Sequence, residues 1–219
     1  MKNVILLLGL ILLCHICIAQ PRLGVHGGIV MSKAVETNTI NQVVSNYRPG
    51  PMAGLLIGYD LGESNFALLT ELNFTTKGLR FSGNQEFLGQ TYATQGTSYV
   101  YYIELPVQAL YYSMLGAGHF FFGAGPYVAA GFQGKTKTTF TINGESAVED
   151  KKTEFGSGYE QMKRFDYGVN GLIGYKLGYG SYLKVYYSHG LTNLSNADGA
   201  EYYNRVFGAS FGFFFGSRR

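Results

Sequence analysis

The sequence contains no tryptophan, and its only two cysteines, Cys14 and Cys17, lie within the first nineteen residues. Without those residues the chain has no thiol, which excludes disulfides and thiolate metal ligands. Charged residues are sparse at 14%, and no later apolar run reaches the roughly 20 residues that a membrane helix needs. Any membrane-spanning structure must therefore be a closed barrel, because lipid cannot satisfy exposed backbone groups.

The N-terminal segment has the pattern of a secretory signal. Lys2 supplies a positive charge, residues 4–13 form an unbroken apolar run, and residues 17–19 offer small side chains for cleavage. We expect residues 1–19 to be removed as a signal peptide and residues 20–219 to form one domain. Neither cysteine follows the small residue that lipidation requires, so we expect no lipid anchor.

Apolar and polar residues alternate in the rest of the chain. In residues 98–114, for example, Ile103 and Leu105 share one face, whereas Glu104 and Gln108 share the other. This period of two is typical of β-strands, and 9 to 11 such residues can cross a bilayer. Eight segments show the pattern: 22–31, 52–61, 66–77, 98–114, 119–133, 165–177, 182–191 and 205–216.

The connections between these segments alternate in length. Short turns near residues 62–65, 115–118 and 178–181 are interleaved with long connections at about 32–49, 82–97, 134–163 and 192–203. Outer-membrane barrels have this asymmetry, with short periplasmic turns and long external loops. The predicted fold is therefore all-β: an eight-stranded antiparallel transmembrane β-barrel with both termini in the periplasm. A soluble barrel or sandwich is disfavoured, because it would turn its polar face outward.

Five charged residues face the predicted lumen by alternation, namely Glu71, Lys77, Glu104, Asp166 and Lys184. An eight-stranded barrel is just wide enough inside for side chains. We therefore predict a buried polar network with a structural role, in which Glu104 and Lys77 interact. The alternative is a proton or ion path.

The third long connection is the most highly charged. Residues 135–164 contain 11 of the 31 charged residues, including the run Glu149, Asp150, Lys151 and Lys152. One interpretation is a solvated loop, with the fifth and sixth strands extending to a turn at Asn143-Gly144. The other is a contact surface for an envelope protein or an external ligand.

The sequence gives little sign of catalysis. Ser188 and His189 are adjacent on a strand and point to opposite faces, so they cannot act as nucleophile and base. His26 has no serine or acid at a spacing that identifies a triad, and no histidine pair has metal-ligand spacing. Without Lys2 the chain has 16 basic and 14 acidic residues, an excess too small to indicate nucleic acid. We expect no enzyme, cofactor, metal site or nucleic-acid partner.

Five local patterns, in order along the chain, resemble the PorT-like outer-membrane β-barrel family of Gram-negative bacteria. They are Lys77-Gly78, Tyr102-Ile103-Glu104-Leu105-Pro106, Gly125-Pro126-Tyr127, Phe165-Asp166-Tyr167-Gly168 and Gly190-Leu191-Thr192-Asn193. The resemblance implies an integral outer-membrane protein and, for some relatives, a role in protein secretion or surface assembly. It implies no catalytic residues.

These observations predict a non-enzymatic structural or accessory protein of the outer membrane, active in surface assembly or secretion. The alternative is a surface adhesin or ligand-binding barrel, and a small channel or a barrel enzyme is less favoured. The expected partners are outer-membrane lipid, the barrel-insertion machinery during biogenesis and an envelope protein bound through the third long connection.

Overall fold

A computed structural model describes residues 21–37, 44–62, 64–87, 90–142 and 144–215. The predicted signal peptide over residues 1–19 lies outside this part. No helix among the described residues is long and apolar enough to cross a membrane. The strands are β1 (Arg22–Thr37), β2 (Val44–Asn46), β3 (Arg48–Asp60), β4 (Phe66–Phe87), β5 (Gln90–Leu115), β6 (Gly118–Ile142), β7 (Glu145–Lys152), β8 (Phe165–Lys176), β9 (Ser181–Gly190) and β10 (Glu201–Phe214).

Eight of these strands close into a ring in the order β1, β3, β4, β5, β6, β8, β9 and β10. Each neighbouring pair is antiparallel. The first and last strands complete the ring, with a register that runs from Gly24 opposite Phe214 to Thr37 opposite Glu201. The predicted eight-stranded antiparallel barrel is confirmed.

The two faces of each barrel strand differ in polarity, as β8 illustrates. Tyr167 and Val169 are exposed on the outside, whereas Asp166 and Asn170 are buried inside. Large apolar side chains remain exposed on all eight ring strands. Such a surface would be unfavourable in water and suits a hydrocarbon environment.

The two ends of the barrel differ in their connections. At one end, called here the short-turn end, β3–β4, β5–β6 and β8–β9 are joined by tight turns. The β5–β6 turn has only two residues, and the first of them, Gly116, has a φ of 60° that favours glycine. The first residue of β1 and the last residue of β10 also lie at this end. The remaining connections therefore lie at the opposite end, called here the long-loop end.

Three barrel strands continue well past the ring at the long-loop end. The predicted long connection at 82–97 is wrong, because β4 runs to Phe87 and β5 resumes at Gln90 as its paired neighbour. The predicted connection at 134–163 is also wrong in its first part, since β6 continues to Ile142. Threonine and aromatic residues favour strand there, but the extensions lack a buried face with regular polarity, so alternation did not reveal them.

The extension of β6 pairs with β5 on one side and with β7 on the other. The expected extension of the fifth predicted strand to a turn at this point is confirmed, but the returning arm is the separate strand β7 rather than an extension of the sixth predicted strand, because β8 begins only at Phe165. Gly144, with a φ of 90°, lies in the turn between β6 and β7. Because β2 pairs with residues 80–82 of β4, a protruding sheet is formed by β2, residues 80–87, 90–99 and 135–142, and β7.

Candidate functional site

The half of the lumen nearer the long-loop end contains a compact ionic cluster centred on Lys77. Its Nζ lies 2.6 Å from Glu104 Oε2 and 2.9 Å from Asp166 Oδ2. Asn204 Nδ2 donates a second hydrogen bond to Asp166 Oδ2 at 2.9 Å, and the Lys77 ammonium lies 4.4 Å from the centre of the Tyr127 ring. All these side chains are buried, so each charged group has side-chain partners in place of bulk water.

A second cluster lies nearer the short-turn end and pairs Lys184 with Glu71. Lys184 Nζ donates to Glu71 Oε1, and Asn73 Nδ2 donates to Glu71 Oε2 at 2.8 Å. His26 Nε2 is 2.7 Å from Asn73 Oδ1 and 3.6 Å from Glu71 Oε2. The structure thus places all five charged residues singled out in the sequence inside the barrel, in two groups rather than one.

Ser210 adds a contact that sequence spacing did not reveal. Its Oγ lies 3.4 Å from His26 Nδ1. Because the Asn73 carbonyl oxygen can only accept, His26 carries its proton on Nε2 and presents Nδ1 as the acceptor toward Ser210. The arrangement resembles a serine–histidine pair, but His26 is 6% and Ser210 is 2% exposed. A substrate therefore has no access to the hydroxyl.

The divergent positions of Ser188 and His189 follow the predicted alternation. Ser188 is buried in the lumen, where its Oγ accepts a hydrogen bond of 2.8 Å from Asn170. His189 is on the outer face, where its Nδ1 lies 3.2 Å from the Tyr187 hydroxyl oxygen. Within the described residues, no three His, Cys, Asp or Glu side chains are grouped as metal ligands.

Both ends of the lumen are filled. Near the short-turn end the buried apolar side chains form one layer, which includes Leu56, Leu69, Leu110, Phe121, Leu172, Tyr182 and Phe214. At the long-loop end the connection between β7 and β8 folds back, and its Phe155 and Met162 pack on Val100, Tyr102, Tyr127 and Ala129. Together with the buried ionic clusters, these two apolar groups place side chains inside the described part of the lumen, as expected for a barrel of eight strands.

Strand β7 carries the predicted contact residues on a fully exposed element. All eight of its residues are exposed. Asp150 pairs with Lys135 of β6 at 2.7 Å, and Lys151 pairs with Glu160 at 2.9 Å. The hydrogen bond from Lys135 lowers the pKa of the Asp150 carboxyl below its ordinary value. Among the described residues, Glu149 and Lys152 have no salt-bridge partner.

The outer edge of β7 presents free backbone groups. Thr153 N, which follows the strand, donates to Gly134 O at 3.0 Å, and the register is antiparallel throughout. Amide direction alternates along such a strand, so the N–H groups of Ser146, Val148, Asp150 and Lys152 point away from β6. Among the described strands, only β6 pairs with β7. The protruding sheet therefore has an open edge of eight residues.

The family of the chain follows from its sequence as well as from this fold. A sequence model of the family described as "Outer membrane protein beta-barrel domain" matches residues 18–196. The chain therefore belongs to this family and is an outer-membrane β-barrel protein. No curated protein matches the sequence.

Several solved structures are similar to this chain in fold. Neisserial surface protein A (NspA) is 11% identical, with 88% of this chain and 97% of that chain covered at a TM-score of 0.40. OprG from Pseudomonas aeruginosa is 14% identical, with coverage of 91% and 98% and a TM-score of 0.43. Ail, the attachment invasion locus protein of Yersinia pestis, is 11% identical in its complex with sucrose octasulfate, with coverage of 89% and 99% and a TM-score of 0.36. Likenesses this distant leave the function to be argued from the site itself.

Proposed function

We propose that this chain is a non-enzymatic accessory barrel that binds an extended segment of an envelope protein along the free edge of β7. The observation that carries the proposal is the row of outward N–H and C=O groups on this strand, which is exposed along its full length. An unpaired edge is a template for a further strand, and strand addition is a recurring mode of peptide recognition.

The side chains of β7 provide selectivity for such a segment. Val148 is 59% exposed at the middle of the strand, and mixed charges follow it at Glu149, Asp150, Lys151 and Lys152. Charges on an edge discourage indiscriminate pairing. They favour a partner strand whose own charges are complementary.

The position of β7 fits a role in surface assembly or secretion, which the resemblance to PorT-like barrels also suggests. With a cleaved signal peptide, both termini in the periplasm and the short turns facing the same side, the protruding sheet lies outside the cell. The filled lumen supports an accessory role over a channel, because its charges are paired within the barrel wall.

The test is site-specific photocrosslinking in intact cells, with the crosslinking residue at Ser146 on the edge of β7 and, as a control, at Asp198 in the β9–β10 loop. Capture from Ser146 is compared between the otherwise unchanged chain and the Val148→Pro variant. Proline at 148 removes an outward N–H and leaves the β6–β7 ladder intact, since edge strands tolerate proline there. We expect the yield to fall at least tenfold.

The matched control is Val148→Thr, which keeps the amide and the β-branched shape and should retain capture. Heat-modifiable migration in gels shows that each variant folds. Equal capture by the Val148→Pro variant, or equal capture from Asp198, would show that partner contact does not use this edge.

A further inference from the structure

A row of basic side chains crosses the outer face of the barrel at its long-loop end. Lys33 of β1 is the register partner of Arg205 of β10, and Arg205 is the register partner of His189 of β9. These three positions alternate with the buried ones on their strands, so their side chains share the outward face. Directly opposed side chains on antiparallel strands are about 5 Å apart at Cβ.

The two cations of this row have aromatic and backbone partners, rather than acidic ones, in the described part of the chain. Within the described residues, neither Lys33 nor Arg205 forms a salt bridge. The Lys33 ammonium lies 4.9 Å from the centre of the Tyr47 ring. Arg205 Nη1 donates hydrogen bonds to Gly190 O at 2.7 Å and to Asn204 O at 2.8 Å. Like charges directly opposed across strands are destabilising, so an anion placed between them would relieve the repulsion.

The row lies at the margin of the apolar band. Between Arg205 and the short-turn end, the outward residues of β10 are Phe207, Ala209, Phe211 and Phe213, and Phe215 follows the strand, which gives a span of nine residues. A transmembrane strand needs about 9 to 11 residues. Aromatic rings, which are typical of bilayer interfaces, mark the same level: Tyr187 and Phe207 have ring centroids 4.7 Å apart, and Tyr47 lies 6.1 Å from Phe207. The cations are therefore at headgroup depth.

An apolar groove of about 640 Å³ begins directly beneath the row. Met31, Phe207 and Tyr187 line its upper part, and Ile29, Ala209 and Val185 lie one level lower in register. Its floor includes Gly171, where an added Cβ would meet nothing within 4 Å. The depression is thus open toward the hydrocarbon where the wall carries small residues such as Gly171 and Ala209.

We propose that this surface binds one phosphorylated lipid of the surrounding leaflet, with a phosphate on Lys33, Arg205 and His189 and an acyl chain in the groove. Arginine and lysine bind phosphate by charge-assisted hydrogen bonds, and basic sites at the membrane boundary recognise anionic headgroups. The groove continuous with the cations selects a lipid phosphate over a soluble one. This site is independent of the β7 edge.

The test is native mass spectrometry of the full barrel released from detergent micelles, titrated with lipid A bearing two phosphates or with its dephosphorylated form. We expect retention of the phosphorylated form to exceed that of the dephosphorylated form at least tenfold. The Lys33→Gln/Arg205→Gln variant should abolish this preference. Arg205→Lys should keep most of it, and Lys137→Gln, a charge loss on the protruding sheet, should leave it unchanged.

The acyl chain is tested separately by Gly171→Leu, which fills the groove from an open position. Retention of phosphorylated lipid A should fall at least threefold, whereas Ala53→Leu, at an exposed position outside the groove, should have no effect. If the double variant fails to fold, the single variant Lys33→Gln replaces it in the same titration, because Lys33 forms no salt bridge or side-chain hydrogen bond among the described residues, and its ammonium lies over the Tyr47 ring. An unchanged preference after loss of the cations, or unchanged retention in Gly171→Leu, would overturn the proposal.

Discussion

Lys77 Nζ lies 2.6 Å from Glu104 Oε2, on the neighbouring barrel strand, with both side chains buried in the lumen. The ammonium also contacts Asp166, so two carboxylates share one cation. These three charges join β4, β5 and β8, which lie on different parts of the ring. The cluster therefore links β8 across the lumen to two strands with which it does not pair, since β6 separates β5 from β8.

We predict unequal costs when this cluster is neutralised one residue at a time. Lys77→Met leaves two buried carboxylates without their cation and should destabilise the barrel by about 3 to 5 kcal/mol. Glu104→Gln should cost less, because Lys77 keeps Asp166 as a partner. The Lys77→Met/Glu104→Gln double variant should cost less than the sum, with a coupling of about 0.5 to 3 kcal/mol. Urea unfolding in lipid vesicles measures these values, and strict additivity would contradict the coupling.

Alternation along the strands correctly predicted which side chains enter the lumen, because the inside and outside of a barrel wall differ in polarity at every second residue. The Lys77–Glu104 contact was also predictable, because the two residues point inward from strands that are neighbours in the chain and in the ring. The contact with Asp166 was not, since β8 does not pair with β4 and their approach depends on the curvature and stagger of the whole ring. For the same reason, the sequence did not reveal the approach of Ser210 to His26.

The strands of the protruding sheet could not be predicted from the alternation of apolar and polar residues. Residues 136–141 of β6 include four threonines and lie beyond the ring, so neither a lipid face nor a lumen face imposes a period of two. The partner of this extension, β7, is exposed on both faces. Only the turn at Gly144 left a recognisable signal in the sequence.

The outward assignment of Leu105 predicts a large effect of charge at that position. Leu105→Lys places an ammonium in the apolar band and should destabilise the inserted barrel by about 2 to 4 kcal/mol near the midplane. Leu105→Met, which keeps the volume and polarity, should cost less than about 1.5 kcal/mol. Urea unfolding in vesicles measures both variants. Equal losses would contradict a lipid-facing position.

A charged residue at Gln108, on the same strand, should cost more stability than the inward position of this side chain alone suggests. Its Nε2 donates to Asn170 Oδ1 inside the lumen. Gln108→Glu would replace that donor by a second acceptor, and a buried group left without its partner costs about 1 to 3 kcal/mol or more. We therefore expect Gln108→Glu to destabilise the barrel measurably in the same assay. Gln108→Glu combined with Asn170→Asp should be worse, since two carboxylates would then face each other.

The β6–β7 turn should tolerate change without loss of the barrel. Gly144→Val forces a β-branched residue into a φ of 90° and should weaken this hairpin by about 1 to 2 kcal/mol. Limited proteolysis should then cut faster between residues 142 and 152, while heat-modifiable migration stays normal. Gly144→Asn, which accepts positive φ better, is the matched control. Loss of heat-modifiable migration in Gly144→Val would show that barrel folding depends on this hairpin.

The Asp150–Lys135 pair should be visible in a carboxyl titration followed by nuclear magnetic resonance. The hydrogen bond from Lys135 favours the ionised form of Asp150, so its midpoint should lie below the ordinary value of 3.8. Lys135→Met removes both the donor and the charge and should raise that midpoint. Lys33→Met, a charge loss on the wall of the barrel, should leave it in place. An unchanged midpoint in Lys135→Met would show that the two side chains do not pair in solution.

The Ser210–His26 contact should remain chemically silent in the folded barrel. A fluorophosphonate labels a serine only where the hydroxyl is both activated and accessible. Ser210 is buried inside the lumen. We expect no labelling of Ser210 in the vesicle-embedded barrel, and no change in background ester hydrolysis in Ser210→Ala. Mass spectrometry of digested, treated protein identifies any modified residue. Labelling of Ser210 that disappears in His26→Gln would instead establish an accessible nucleophile and contradict the non-enzymatic assignment.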